Sequence, residues 1–333
     1  MVNLLQNLCL LNGTSGDEKS VRDFIISEIK GFCDYEIDNL GNLICFKKGE
    51  KTPKNRLMLD AHMDEVGVII TSVTSDGFLK FETVGGIDAA TLMFKKVKIG
   101  DTVGVISAKP IHLLSKEEGK KAPKTDSLYI DIGATDKENA LDLVNLGDTG
   151  VVLSDFTVMG DCVKAKALDD RVGCAILITL LKEKAEYDFY AVFSTQEEIG
   201  TRGARVATFA VNPDYALVLE ATTAADISGV SGEKSVCNLG NGPAVSFMDR
   251  ATLYDKELYN TAINSGITCQ PKRAIAGGNN SGAIHLSREG VKTLAISLPC
   301  RYIHTDSCMA NLGDIENMLN LTKYMMGSIL KDD

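Results

Sequence analysis

Five short polar clusters carry the residue types that could do chemistry, and most of them follow directly on a strand-like apolar run. In Ala61-His62-Met63-Asp64-Glu65 an imidazole and a carboxylate stand two residues apart. Residues i and i+2 of a strand share a face, so Asp64 can hold the ring nitrogen that a metal leaves free on His62. Asp64 can equally be a hydrogen-bonded turn residue. Ala167-Leu168-Asp169-Asp170-Arg171 precedes a helical run. One Asp there serves as an N-cap; two, with Arg171 available to balance one, exceed what a cap needs. A carboxylate with two oxygens can bridge two metal ions. The strongest cluster is Ser194-Thr195-Gln196-Glu197-Glu198-Ile199-Gly200. Adjacent acids at the end of a buried strand repel each other unless a cation or proton lies between them. One of the two can bind metal while the other stays free as a general base. Leu219-Glu220-Ala221-Thr222 adds another acid at a strand end, and Arg301-Tyr302-Ile303-His304-Thr305 adds a second His. Each of these last two is weak alone.

In an open α/β sheet the carboxyl ends of the strands line the ligand crevice, so clusters far apart in sequence are expected to converge. The candidate set is His62, Asp169, Glu198, Glu220 and His304, with Glu197 spare. Its donors are all N and O, which suits Zn, Mn or Co rather than Fe–S or Cu(I). Two ions, each taking one His and one terminal carboxylate and sharing Asp169, would make a two-metal hydrolase. In that chemistry Glu197 takes the proton of the attacking water and passes it to the leaving amine.

The elements that must position these groups are legible as periodicities. Val21, Phe24, Ile25 and Ile29 predict a helix after Gly13-Thr14-Ser15-Gly16, with Asp17 and Glu18 in its first turn, where the dipole favours them. Residues 42–46 and 56–61 read as strands. From about 66 to 152 short strand-like pieces (66–73, 78–84, 95–99, 102–107 and 128–132) alternate with turn signals such as Ser75-Asp76-Gly77, the pattern of a small barrel or sandwich. Residues 115–125 form a polar run and read as a solvated loop. Beyond Asp161 helix candidates (172–184, 203–209 and 315–330) alternate with strand candidates (189–194, 215–219 and 293–298). The last helix turns Met318, Leu319, Met325 and Ile329 inward. Such alternation implies an α/β fold, a mostly parallel sheet with helices on both faces.

Length and composition bound the rest. A chain of 333 residues implies about two domains. Its 35 Lys and Arg against 45 Asp and Glu give a net charge of −10, which argues against binding nucleic acid or an anionic membrane. The nine Cys form no C-x-x-C pair, which suits reduced thiols in a cytoplasmic protein. The N-terminus has neither a basic leader nor a long apolar run, so neither signal peptide nor membrane span is expected.

In this order the clusters resemble the M42 family of metallo-aminopeptidases, the glutamyl-aminopeptidase and tetrahedral-aminopeptidase group. Thr14-Ser15-Gly16, Lys109-Pro110-Ile111-His112-Leu113 and Gly282-Ala283-Ile284-His285 extend the resemblance nearly end to end. It implies a catalytic α/β domain from residues 1–66 and 161–333, interrupted at 67–160 by a β-barrel or PDZ-like domain used in oligomer contacts. It implies two divalent metal ions, zinc first, with cobalt or manganese as alternatives. His62 and Glu220 fall on one side of the pair, Glu198 and His304 on the other. Asp169 is then the bridge, Asp64 the orienter and Glu197 the general base. The implied substrates are peptides, and the implied assembly is a dodecamer built from dimers with its active sites inward. His112 and His285 gain no ligand role and are expected to be structural.

One departure stands at Gly277-Gly278-Asn279-Asn280-Ser281-Gly282, where the family usually reads Gly-Gly-Thr-Asp-Ala-Gly. Asn280 removes a negative charge expected near the site and so bears on substrate preference and turnover. Glu220 stands where many relatives have Asp. Two other functions compete. A glycoside hydrolase also uses paired carboxylates, but it would leave His62 and His304 without work, and 6% aromatic residues with no Trp offer few platforms for sugar rings. A metal-binding oligomer with weak or no turnover is the other.

Overall fold

In the computed structural model, which describes residues 1–230, 232–275 and 277–331, the strands divide between one large sheet and one closed barrel. Parallel strands form the sheet's centre, in the order Phe189–Ser194, Leu57–His62, Tyr215–Thr223 and Lys292–Arg301. Their near-continuous apolar runs arise because both faces are covered. Leu57, Leu59, Ala61, Leu217 and Leu219 pack with the helices Leu168–Lys182 and Leu312–Leu330. The alternate residues Met58, Val192, Ala216 and Val218 pack with Ala204, Ala207 and Val211 of the Arg202–Val211 helix.

The sheet as a whole is mixed rather than mostly parallel. Asp34–Ile37 pairs antiparallel with Leu43–Lys47, and that strand pairs antiparallel with Phe189–Ser194. At the other side Cys308–Asn311, Cys162–Ala165 and Thr157–Met159 follow in antiparallel order. The cause is connection length. A turn such as the one Asp38 closes by accepting from the N–H groups of Leu40 and Asn42 can only reverse the chain. Parallel neighbours need a crossover of a dozen residues or more.

The barrel closes in the order Gly67–Val73, Leu79–Val84, Tyr129–Asp131, Thr102–Ser107, Lys96–Ile99 and Thr149–Val152. Val68, Ile70, Leu79, Phe81, Val97, Ile99, Ile106 and Ile130 fill it from alternating positions. The insert is therefore a closed barrel, and its strand order does not by itself make it PDZ-like. Thr157–Met159 already pairs within the large sheet, so the barrel's strands end at Val152. Among the described residues no helix is long and apolar enough to cross a membrane.

The N-terminus departs from expectation twice. A helix at Val2–Leu10, absent from the periodicity reading, buries Leu5, Leu8 and Cys9 in the main core. The next helix is Lys19–Ile29, so Asp17 and Glu18 precede its first turn. Glu18 faces inward instead, because its Oε1 accepts hydrogen bonds from the N–H groups of Gly16 (2.7 Å) and Gln196 (3.1 Å).

Arg171 does not balance a neighbouring Asp. Its buried guanidinium donates to the carbonyls of Leu8 (2.6 Å) and Met63 (2.9 Å) and to Glu65 Oε1 (3.1 Å). Lys166 Nζ donates to the same Glu65 carboxylate at 2.7 and 2.8 Å and to the Leu11 carbonyl at 2.6 Å. Two cations thus complete the C-terminal end of the first helix, where carbonyls lack partners, and anchor the segment after His62. Replacing one partner of such a buried network leaves the others desolvated without compensation. Arg171→Leu should therefore cost about 3–5 kcal/mol in urea unfolding, and a loss below about 1 kcal/mol would contradict the role assigned to this residue.

Candidate metal centre

Each of the five clusters arrives at the same end of the sheet by a different element. His62 ends the Leu57–His62 strand, Glu220 lies in Tyr215–Thr223, and Glu198 follows Phe189–Ser194. Asp169 lies in the irregular first turn of Leu168–Lys182, across a cis Asp169–Asp170 peptide, and His304 lies in the loop between Lys292–Arg301 and Cys308–Asn311. Ala167, Gln196, Tyr302 and His304 all have φ between +54° and +59°. Non-glycine residues there are strained by about 1–3 kcal/mol each and persist where the surroundings dictate them.

The side chains meet around Asp169. Its Oδ1 lies 3.3 Å from His62 Nε2, and its Oδ2 lies 3.3 Å from His304 Nε2. Glu220 Oε2 is 3.7 Å from His62 Nε2, and Glu198 Oε1 is 3.1 Å from His304 Nε2. Two groups that could each hold a metal ion result, His62–Asp169–Glu220 and Asp169–Glu198–His304, with Asp169 common to both. Glu197 joins His62 and Glu198 in a third grouping. The His62 side chain is 1% exposed and that of His304 29%, so the site opens on the His304 side. His285 and His112 lie apart from it: His285 Nδ1 is 2.7 Å from the Ser281 carbonyl oxygen, and His112 is exposed.

Asp64 serves more than His62. The His62 Nδ1 is 3.1 Å from the Asp64 carbonyl oxygen and 3.4 Å from its Oδ1. The carboxylate accepts from Ser15 Oγ (2.5 Å) and from the N–H groups of Glu197 (3.0 Å) and Glu198 (3.1 Å). One buried acid therefore fixes both the imidazole and the turn that carries the paired Glu residues. Ser15 and Glu18 complete this support. Neither could be assigned a role from sequence, because a hydroxyl and an acid beside a helix start ordinarily read as capping groups.

The electrostatics follow from burial and crowding. Burial, then Glu198, Asp64 and Asp169, push Glu197 up to about 8, against the pull of His62. Burial also raises Glu198 and Glu220. Burial opposes charge on the imidazoles, yet the surrounding carboxylates hold His62 well above its usual range and bring His304 up to about 11. Burial likewise works against ionised Asp169, but the two imidazoles hold it below the usual carboxylate range. Glu220 Oε1 is buried with no hydrogen-bond partner among the described residues. Acids and imidazoles facing one another, with an acceptor left over, fit a pair of divalent cations, which would replace the protons that now relieve the crowding.

Asn280 is not at the mouth of the site. It is fully buried beneath it, and its Nδ2 donates to Asp60 Oδ2 (2.7 Å) and Ser194 Oγ (2.9 Å). Burial pushes Asp60 up to about 7, while the Asn280 and Ser194 hydrogen bonds pull it down. The amide therefore serves a buried acid of the His62 strand and offers substrate no contact.

The chain is similar to known proteins along nearly its whole length. The profile of the M42 glutamyl aminopeptidase family matches residues 41–321. The chain is 31% identical to the lysyl aminopeptidase of Pyrococcus furiosus, over 97% of this chain and 96% of that protein. The Pyrococcus horikoshii TET1 peptidase, described as able to assemble into a tetrahedron or a large octahedral shell, superposes with a TM-score of 0.86 at 34% identity, over 97% of this chain and 98% of that one. A Thermotoga maritima protein described as an endoglucanase superposes with a TM-score of 0.81 at 35% identity, covering 98% of each chain.

Because cations and protons compete for these side chains, divalent metal uptake should release protons. Calorimetric titration with zinc at about pH 7 should give heats that depend on the buffer's ionisation enthalpy. Apparent affinity should fall as pH is lowered from about 8 to about 6, since acid favours the protonated imidazoles and carboxyls. Buffer-independent heats would contradict the assignment.

Proposed function

The chain belongs to the M42 glutamyl aminopeptidase family, and from that premise we propose that it removes N-terminal residues from peptides at a site holding two divalent metal ions. The observation that carries this reading is the placement of the two Asp169 oxygens, one against each imidazole at 3.3 Å. It supports a division of the donors into His62 with Glu220 and His304 with Glu198, with Asp169 able to serve both. The donor chemistry favours zinc first, with cobalt or manganese as alternatives. Bound ions supply Lewis acidity, polarising the scissile carbonyl and acidifying the attacking water.

The chain's own residues do the rest. Glu197 is close to the metal donors without being needed as one. It is the general base that takes a proton from the attacking water and later delivers it to the leaving amine. Burial and the neighbouring carboxylates push Glu197 up, and bound cations beside it would favour the ionised form that a base needs. Asp64 keeps Glu197 and Glu198 in place through their N–H groups while it orients His62. Peptide enters on the His304 side, the more exposed of the two.

Residues 1–66 and 161–333 form the catalytic domain in this reading, and 67–160 the oligomerisation domain. The barrel exposes Phe94, Leu113, Leu141, Leu143 and Leu146. These residues are available for contacts between subunits, and with the tetrahedral or octahedral assembly described for the similar Pyrococcus horikoshii peptidase we assign the chain to a homo-oligomer, a dodecamer built from dimers. Nine free thiols and an acidic surface fit a soluble cytoplasmic protein that acts on peptides rather than nucleic acid. A glycosidase is less well supported, since paired carboxylates alone suffice for that chemistry and two imidazoles here stand among the acids.

Assayed with a panel of aminoacyl-p-nitroanilides, zinc- or cobalt-loaded protein should release nitroaniline, and chelation should abolish the activity. Glu197→Gln should keep both ions and lower kcat by about 10²–10⁴-fold. Cleavage of cello-oligosaccharides with no aminoacyl substrate turned over would reject the peptidase reading. An unchanged kcat in Glu197→Gln would reject the base.

A further inference from the structure

We propose that the barrel is part of the hydrolytic site, and that Lys95, through its ion pair with Asp306, is a positioning residue that holds His304 in place to bind metal. This rests on the reading of His304 as a ligand. The two imidazoles are held in different ways. His62 terminates a central strand and is braced by Asp64 from its own chain segment. His304 lies in a loop, and its Nδ1 is 2.7 Å from the carbonyl oxygen of Gly86, which belongs to the barrel. A histidine that binds metal through one nitrogen ordinarily donates the other N–H to such an acceptor, which fixes tautomer and ring direction.

Two further contacts, one from Lys95 of the barrel and one from Ser154 just beyond its last strand, grip the same loop. Lys95 Nζ donates to both oxygens of Asp306, at 3.1 and 2.9 Å, and Ser154 Oγ donates to the Asp306 carbonyl at 2.6 Å. The approach of the barrel is close enough to require glycine. Gly85 has φ +84°, and a Cβ there would meet Val66 Cγ1 at 2.9 Å and Glu198 Cβ at 3.1 Å. Within the loop Tyr302 and His304 both adopt left-handed backbone, which needs an outside constraint to persist. The Lys95–Asp306 pair is partly exposed, so its contribution to overall stability is small. Its consequence falls on the imidazole two residues away from Asp306 along the loop. Loosening it should slacken the His304–Glu198 half of the site and leave the His62–Glu220 half intact.

Competition of a chromophoric chelator with the zinc-loaded full chain tests this directly. The unsubstituted protein should yield two ions. Lys95→Met should hold one ion as tightly as before and bind the other about 10–100-fold more weakly. Lys95→Arg, which keeps the charge, should restore most of that loss. Activity lost by Lys95→Met at low zinc should return when zinc is added, an effect that general destabilisation would not produce. Two ions held with unchanged affinity in Lys95→Met would overturn the inference, as would equal weakening of both. If the unsubstituted protein itself holds fewer than two ions, the dinuclear reading fails, an outcome distinct from two ions that are indifferent to Lys95.

Discussion

Gathering Glu198, Glu220 and two imidazoles around one carboxylate, Asp169, brings together groups that water would otherwise keep apart. Five ionisable side chains cannot share a buried space in their ordinary charge states, and the raised acids and imidazoles record that conflict. Such a cluster endures only where the surrounding chain leaves it no alternative geometry. The parallel centre of the sheet meets that need. It is buried on both faces and pairs Ser194 with His62 and Val218 with Asp60, which brings His62, Glu220 and the turn that carries Glu198 to one end of the sheet. Beneath them Asn280 hydrogen-bonds Asp60 of the His62 strand. Beside them Glu65, Lys166 and Arg171 fasten the chain that follows His62 to the first helix.

The support is uneven, and the unevenness has chemical content. Asp64, Ser15 and Glu18 give the His62 side and the paired Glu residues a dense set of hydrogen bonds from outside the barrel. The His304 side depends on a loop gripped by the barrel. It is also the more open side, where peptide enters in our reading. In our reading the barrel thus carries both the exposed apolar residues proposed to join subunits and, in Gly86 and Lys95, the groups that steady a metal-binding histidine.

The polar clusters were legible because chemistry demands particular residue types at strand ends, and the strands themselves announced their burial as apolar runs. His62, Asp169, Glu197, Glu198, Glu220 and His304 could all be placed on that ground. What escaped the sequence depends on partners remote along the chain. Glu18 looks like a helix-start acid until Gln196 is seen to donate to it, and Arg171 looks like a counter-ion for its neighbour until the first helix occupies it. Asn280 reads as a missing negative charge near the site that bears on substrate preference, yet it is buried against Asp60 and Ser194. Gly86 acts through its carbonyl, which every residue possesses, so no residue type could point to it. The Val2–Leu10 helix spans nine residues with no side-chain cap, and packing rather than propensity makes it stable. The sheet's antiparallel flanks followed from turn lengths that periodicity does not report.

The central claim is that Asp169 bridges two ions. Anomalous diffraction from zinc-loaded crystals, recorded on both sides of the zinc absorption edge, tests it most directly. The account predicts two peaks, both within bonding distance of Asp169, one shared with His62 and Glu220 and the other with His304 and Glu198. A single peak, or two peaks of which only one touches Asp169, would contradict it.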